Sequence, residues 1–314
     1  MDDDTVIMTP SGRPRRRWPW IALALMVSGA AAGLVWSEGP SPPPPVADTQ
    51  IRPAQPPMAT EGAILARQPG VTETYRFASE PSIMVVQFAA LADQAGALNR
   101  VAALIEKAGF PRDRVLDDAE LDRRIRAGGD DPARFYYGHD YRAADLLRFF
   151  AAARQAGVPL TPGERWLDRA MQDWGWQPGS TGALITLVRE SPELDSAARA
   201  TILRHELSHG LYFTSPAYAG YARAFWERTL TPPERTGFRG FLASERYDTA
   251  IDDLVVNEAQ AYLMHTPNER FFRADAIGVT PARLAELRLL FLAGMPPGWL
   301  RDCTPAPDAN GRGK

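Results

Sequence analysis

The chain has 314 residues, of which 45% are hydrophobic, and a formal net charge of −3. This apolar content can form one sizeable core or two small ones, and the small charge gives no electrostatic case for nucleic-acid binding. The single cysteine, Cys303, excludes an internal disulfide and is expected to be a buried or peripheral free thiol.

The N-terminal segment contains an uncharged stretch at residues 18–36, directly after a cluster of arginines at residues 13–17. Nineteen residues are just enough to cross a bilayer, and tryptophans at both ends suit its two interfaces. Because basic flanks stay in the cytoplasm, we expect residues 1–17 to be cytoplasmic and residues 18–36 to form a single-pass signal anchor in a bacterial inner membrane. The remainder would face the periplasm. The alternative is a cleaved signal peptide, with small residues at 30–32 near the cleavage point.

Residues 37–60 form a proline-rich linker that includes four consecutive prolines at residues 42–45. Such sequences favour the extended polyproline II conformation, at about 3.1 Å per residue. The linker should therefore hold a folded domain away from the membrane. We expect residues 61–303 to form that domain and residues 304–314 to be a disordered tail.

The domain is expected to be predominantly α with a small β component, an α+β fold. Apolar runs at residues 83–88 and 183–188 predict two strands. Helical patterns and their breakers predict four helices, at residues 91–107, about 140–155, 216–227 and 281–293.

An aromatic and polar cluster at residues 136–141 contains His139 and Asp140. Histidine is a common donor to the oxyanion of a hydrolytic intermediate, which makes His139 a candidate for that role. The structural alternative is that Asp140 caps the predicted helix that follows while the neighbouring tyrosines pack.

The strongest chemical pattern is the pair His205 and His209, with Glu206 beside the first histidine. Residues i and i+4 project from one face of a helix. Two neutral imidazoles at this spacing can bind one Zn²⁺ at about 2.0–2.1 Å, and Glu206 would lie close enough to deprotonate the water on the metal. Asp195 is a candidate N-cap of this helix. The alternative is an ordinary amphipathic helix, but the chain contains only four histidines.

A catalytic zinc needs a third protein ligand and an open position for water. In the longer form of the motif a glycine and then a third histidine follow at fixed offsets, but those two positions hold Tyr212 and Ser215 here. A downstream carboxylate must then serve, and the best candidate is Glu258, in an Asn-Glu-Ala sequence within a helix-compatible run from about residue 249 to 264. The alternative for Glu258 is a solvated helix glutamate.

An HExxH helix followed by an Asn-Glu-Ala helix resembles the gluzincins, the zinc peptidases typified by thermolysin. The resemblance covers residues 202–211 and 257–262. It implies a zincin-like helical domain in which His205, His209 and Glu258 bind Zn²⁺ and Glu206 is the general base.

Two features depart from the thermolysin pattern. Tyr262 stands where that pattern has an aspartate that orients a zinc-binding histidine, and 48 residues separate His209 from Glu258, which favours another gluzincin branch. Tyr262 and His265 share a helix face with Glu258, so either could contact the ligands, and His265 is a reserve ligand. Carboxylates that could replace the missing aspartate are Asp248, Asp252 and Asp253.

These patterns predict a membrane-anchored periplasmic zinc metalloprotease, a hydrolase whose substrate is a peptide or protein. In gluzincin-like folds the strand before the metal helix pairs with extended substrate, which by analogy suggests that role for residues 183–188; the alternative is a purely structural core strand. A second class of function is a zinc-holding scaffold or binding module of the cell envelope that does not hydrolyse anything. A third is an amidase acting on cell-wall peptides.

Overall fold

The computed structural model describes residues 55–304. The expected anchor, most of the linker and the residues after 304 lie outside this range. Within it, helices surround one five-stranded mixed sheet, which confirms the predicted α+β class. None of the helices in this range is both long and apolar enough to cross a bilayer.

The sheet has two buried parallel strands at its centre. Its members are β1 (Met58–Ala59), β2 (Glu73–Phe77), β3 (Ile83–Phe88), β4 (Asp140–Arg142) and β5 (Ala183–Val188), in the order β1-β2-β3-β5-β4. β1 and β2 are parallel, and so are β3 and β5, while β2 and β4 run antiparallel to β3 and β5 respectively. Every residue of β3 and β5 is buried, as continuous apolar runs predict for strands covered on both faces.

This order bears on one prediction about β5. Both of its neighbours are strands: β3 pairs with all six of its residues, and β4 pairs with Ala183–Ile185. This double pairing and the burial of every residue of β5 favour the structural alternative, a core strand, over pairing with a peptide. The strand at this end of the sheet is β4, whose short antiparallel ladder places Asp140 opposite Ile185 and Arg142 opposite Ala183.

Helices alternate with the strands up to β5, and the chain after β5 is helical. They are α1 (Glu61–Leu65), α2 (Leu91–Ile105), α3 (Asp118–Ala127), α4 (Ala143–Gln155), α5 (Pro162–Asp173), α6 (Ser196–Thr214), α7 (Pro216–Arg228), α8 (Pro232–Ser244), α9 (Asp252–His265), α10 (Pro281–Gly294) and α11 (Trp299–Asp302). Two short 3₁₀ turns lie at Pro132–Arg134 and Ala274–Ile277.

Helix α4 begins later than its sequence pattern predicts. Asp140 belongs to β4, and the helix starts at Ala143, after Arg142, which makes no side-chain capping bond. The prediction that Asp140 caps this helix is therefore wrong. Pairing with β5 takes the residues that local propensity alone would assign to the helix start.

The hydrophobic core of the described residues has two large clusters and one small one, and α6 contributes to both large clusters. Leu203 and Leu207 pack with the sheet residues, whereas Tyr212 packs into the helical half with Phe238 and Leu263. A helix buried along most of its length has no fully polar face. Polar groups on α6 are therefore buried between the two halves of the core.

Candidate metal centre

His205, His209 and Glu258 come together as a buried group that could hold a metal ion. The Nε2 atoms of the two histidines are 3.0 Å apart. Oε2 of Glu258 lies 3.6 Å from Nε2 of His205 and 3.7 Å from Nε2 of His209. Tetrahedral zinc at 2.0–2.1 Å from each ligand requires ligand atoms about 3.4 Å apart. The three distances bracket that value, so the residues fit such an ion.

Local sequence explains how α6 presents its histidines. Asp195 caps the helix by accepting a hydrogen bond from the Ala198 amide at 2.8 Å, as predicted. Gly210 follows His209 directly, and a Cβ built there would lie only 2.7 Å from Cδ1 of Ile83. The glycine therefore lets α6 lie tightly against β3, which holds the histidine pair at a fixed depth.

Glu258 on α9 is completely buried, with 0% of its surface exposed. The solvated alternative for this residue is therefore wrong. Neither carboxylate oxygen completes a hydrogen bond, although Tyr247 lies near enough to favour the charged form. Burial raises the pKa of Glu258, while His209 and Lys107 act to lower it. An unpaired buried carboxylate is costly unless a cation accompanies it, and a metal ion would supply that charge.

Burial also keeps both histidines neutral. It lowers the pKa of His205 to about 3 and that of His209 to about 4. Metal binding requires the neutral imidazole. The surroundings of α6 therefore favour the protonation state that can act as a ligand.

Glu206 lies on the side of His209 that faces β4. Its Oε2 atom has no hydrogen-bond partner, and a side chain at Gly138 would collide with its carboxylate. Burial raises the pKa of Glu206, and the negative charges of Asp140 and Glu258 add to this effect. Asp140, Glu206 and His209 also form a second group that could hold an ion. The two groups share His209 and differ in which neighbours surround the ion.

The non-coordinating sides of the two histidine rings have different neighbours. Nδ1 of His205 lies 2.8 Å from the Thr266 hydroxyl, and the Tyr262 ring packs edge-on against the imidazole, 4.7 Å between centroids. Nδ1 of His209 completes no hydrogen bond and is 3.8 Å from Oδ2 of Asp140, although the Asn257 side chain lies near enough to favour the charged ring. Where the thermolysin pattern has an aspartate that binds a histidine, Tyr262 therefore provides only an aromatic packing contact to His205.

The three aspartates proposed to replace that missing aspartate have other partners. Asp248 pairs with Arg112 at 2.9 Å, and Asp252 with Arg239 at 2.7 Å. Asp253 accepts hydrogen bonds from the Tyr212 hydroxyl and from two arginines. The aspartate that lies beside a candidate histidine ligand is instead Asp140, 3.8 Å from Nδ1 of His209, a residue whose sequence context suggested a helix cap.

His265 is not a member of either possible ligand group in the described residues. It is buried, and its Nε2 atom lies 3.2 Å from the Tyr218 hydroxyl, which donates to Oε1 of Gln260 at 2.6 Å. Gln260 in turn contacts the Ser208 hydroxyl on α6. His265 therefore belongs to a polar network that ties α6, α7 and α9 together, and the reserve-ligand prediction is not supported.

His139 is buried beside β4, with Nδ1 2.9 Å from the Tyr141 hydroxyl. Its Nε2 atom has no hydrogen-bond partner. Burial and the nearby charge of Lys107 lower the pKa of His139 well below its usual value, so the ring is neutral. A neutral ring can still donate one hydrogen bond, and the proposed oxyanion role stays a prediction.

Two charged residues at the centre, Glu106 and Lys107, were missed in the sequence. They stand at the end of α2, where a Glu-Lys pair normally reads as solvated surface. An isolated bridge between Lys107 and Tyr247 brings them inside, and Nζ of Lys107 lies over the rings of Tyr136 and Tyr247 at 4.2 and 3.8 Å. Burial raises the pKa of Glu106 to about 7. Their burial depends on this long-range pairing, which no local sequence pattern predicts.

Comparison with protein-family models, curated proteins and solved structures found no match. Assignment of this centre therefore depends on its own residues. The features that carry it are the ligand distances, the buried and unpaired carboxylates, and the neutral histidines.

Proposed function

We propose that the protein is a zinc-dependent peptidase of gluzincin type. The observation that carries this proposal is the triangle formed by His205, His209 and Glu258, whose atoms are spaced for a tetrahedral ion and whose carboxylate has no other cation bonded to it. Three protein ligands are the usual set for a catalytic zinc, whereas a structural zinc site is normally closed by four. Glu206, next to the first histidine in sequence, supports a hydrolytic role.

Bound at these residues, zinc would polarise the scissile carbonyl and lower the pKa of a water molecule to near 7. Glu206 would be the residue that accepts a proton from this water and later donates it to the leaving amine. A residue that carries a proton between two steps works best with a pKa near the working pH. Without an ion, burial and the charges of Asp140 and Glu258 raise the pKa of Glu206 well above its ordinary value, and a cation bound nearby would act to lower it.

The peptide class of substrate is supported by the sheet. β4 ends the sheet beside the candidate centre, because Asp140 at its start lies 3.8 Å from His209. An extended peptide could add to its outer edge through main-chain hydrogen bonds.

We also propose that residues 18–36 anchor the domain in a bacterial inner membrane with the centre in the periplasm, on the basis of the arginine cluster and the apolar run.

The experiment that tests hydrolysis is Glu206→Gln, which keeps the shape of the side chain and removes the base. General-base losses are typically about 10²–10⁴-fold, so cleavage of unstructured peptide pools by the domain should nearly vanish while zinc content stays at wild-type level. Mass spectrometry reads the cleavage, and elemental analysis reads the zinc. His205→Ala is the matched control and should lose both.

A second candidate function is a zinc-holding envelope module that does not hydrolyse. The observation that favours it is burial: all three candidate ligands and Glu206 are buried, whereas a peptidase must admit a chain. The same variants separate the two functions in cells. If Glu206→Gln fully restores a deletion phenotype and His205→Ala does not, zinc matters without hydrolysis and the peptidase proposal fails.

A further inference from the structure

Thr266 ends helix α9 and contacts both a candidate ligand and its own helix. The residue is 2% exposed. Its hydroxyl oxygen lies 2.8 Å from Nδ1 of His205 and 3.0 Å from the carbonyl oxygen of Ala261. These two contacts together determine where the protons lie.

A threonine hydroxyl has one proton to donate and lone pairs with which it accepts. The carbonyl of Ala261 can only accept, so the hydroxyl proton must point to it; otherwise two oxygens 3.0 Å apart would face each other without a proton. The hydroxyl then accepts from His205, and Nδ1 of that ring must carry the hydrogen. In a neutral imidazole this leaves the lone pair on Nε2, the atom that faces His209 and Glu258.

We propose that Thr266 is a positioning residue that fixes the tautomer and orientation of His205 for metal binding. It takes the role that a carboxylate often plays behind a metal-binding histidine, with a hydroxyl whose own direction is set by α9. This inference depends on the metal centre of the proposed function but not on hydrolysis. Because α9 also carries Glu258, one helix places one ligand and orients another.

The second histidine provides an internal contrast. Nδ1 of His209 completes no hydrogen bond, its neighbour Asp140 is 3.8 Å away, and the Asn257 side chain makes only the smallest contribution to the pKa of the ring. His205 is therefore the ligand whose ring is already held before an ion binds. Loss of the Thr266 hydroxyl should leave both rings without a fixed partner, and the cost should fall on metal affinity.

The test compares Thr266→Val, which removes the hydroxyl at nearly constant shape, with Thr266→Ser, which keeps it. Loss of such an orienting contact typically weakens metal binding about 10–100-fold, measured by competition with a chromophoric chelator. The serine variant should stay within about threefold of wild type. Thr201→Val is the matched control, because the Thr201 hydroxyl likewise donates to a backbone carbonyl, at 3.0 Å, without touching a histidine.

A second measurement keeps the inference falsifiable even if Thr266→Val folds poorly. Nitrogen-15 chemical shifts of the histidine rings in the zinc-free wild-type protein report which ring nitrogen carries the proton, and His205→Ala identifies the resonances. We expect protonated Nδ1 and bare Nε2 on His205. The opposite tautomer, or unchanged zinc affinity in a folded Thr266→Val protein, overturns the proposal. Neither result bears on whether Glu206 catalyses hydrolysis.

Discussion

Two buried charged groups in this protein are built in opposite ways. Arg100 on α2 and Glu164 on α5 form a salt bridge in which every charge is answered: Nε of Arg100 donates to Oε1 of Glu164 at 2.7 Å, and the remaining guanidinium nitrogens donate to the carbonyls of Leu116 and Pro159. Glu164 also accepts from the Thr161 amide in a capping box. In the candidate metal centre, by contrast, Glu258, Glu206 and His209 keep polar atoms without partners.

The difference separates a structural from a functional use of buried charge. A closed pair is satisfied by the chain itself and needs nothing from outside. A buried group without partners, such as Glu258 in the candidate metal centre, lowers the stability of the folded state. It persists because the surrounding core is stable enough to offset that loss. Such a group is therefore where an external partner, such as a metal ion, gains most by binding.

The largest expected effect comes from breaking the closed pair. Glu164→Gln leaves Arg100 buried without its carboxylate, and removal of one partner from such a pair costs about 3–5 kcal/mol of unfolding free energy. Urea denaturation measures this loss. The double variant Arg100→Met/Glu164→Leu should recover most of it, because apolar replacements need no partner. A single variant as stable as wild type would show that the pair is not closed as described.

Substitution of Glu258 in the candidate metal centre should have the opposite effect on the unfolding free energy. In zinc-free protein, Glu258→Gln replaces a buried carboxylate that has no bonded partner by a neutral amide, which is less costly to bury, and should leave the unfolding free energy unchanged or raise it by up to about 1 kcal/mol. With zinc present, wild type should gain about 4 kcal/mol when free zinc is 1,000 times its dissociation constant, and the variant should gain far less. Chemical denaturation with and without a chelator measures both. Destabilisation of the zinc-free variant would contradict the contrast.

The smallest expected effect concerns pH and Glu106. Its pKa in the folded protein is raised from 4.5 to about 7 by burial, so the folded state holds a proton that the unfolded chain releases. Stability contributed by this group is full below about pH 4.5 and falls as pH rises to about 7. Glu106→Gln should remove that fall in the zinc-free protein, as measured by denaturation from pH 5 to pH 8.

The histidines shift in the opposite sense and do not disturb this comparison. The pKa values of His205 and His209 are lowered to about 3 and about 4, so their contribution to stability is lost as pH falls below 6.5. The loss is common to wild type and Glu106→Gln, and it cancels in their difference. A parallel pH dependence in the two proteins would show that Glu106 is not a buried acid.

Local patterns in the sequence predicted the parts of the centre that depend on one helix at a time. The i and i+4 spacing of His205 and His209, the Asp195 cap and the helix around Glu258 follow from helix geometry and are present in the fold. Asp140 was misassigned because its strand exists only through pairing with β5. Thr266 could not be chosen from sequence, because its contact with His205 spans 61 residues and requires α6 and α9 to be packed.

The complete burial of His209 and Glu258 also has a kinetic meaning. An ion cannot reach ligands that no solvent touches unless nearby elements first separate, and such local openings have their own free-energy cost and frequency. The backbone at Gly138 lies directly against the Glu206 carboxylate, and we expect this segment to take part in that separation. The residence time of a bound ion would then depend on the rate of local opening as well as on the strength of the coordination bonds.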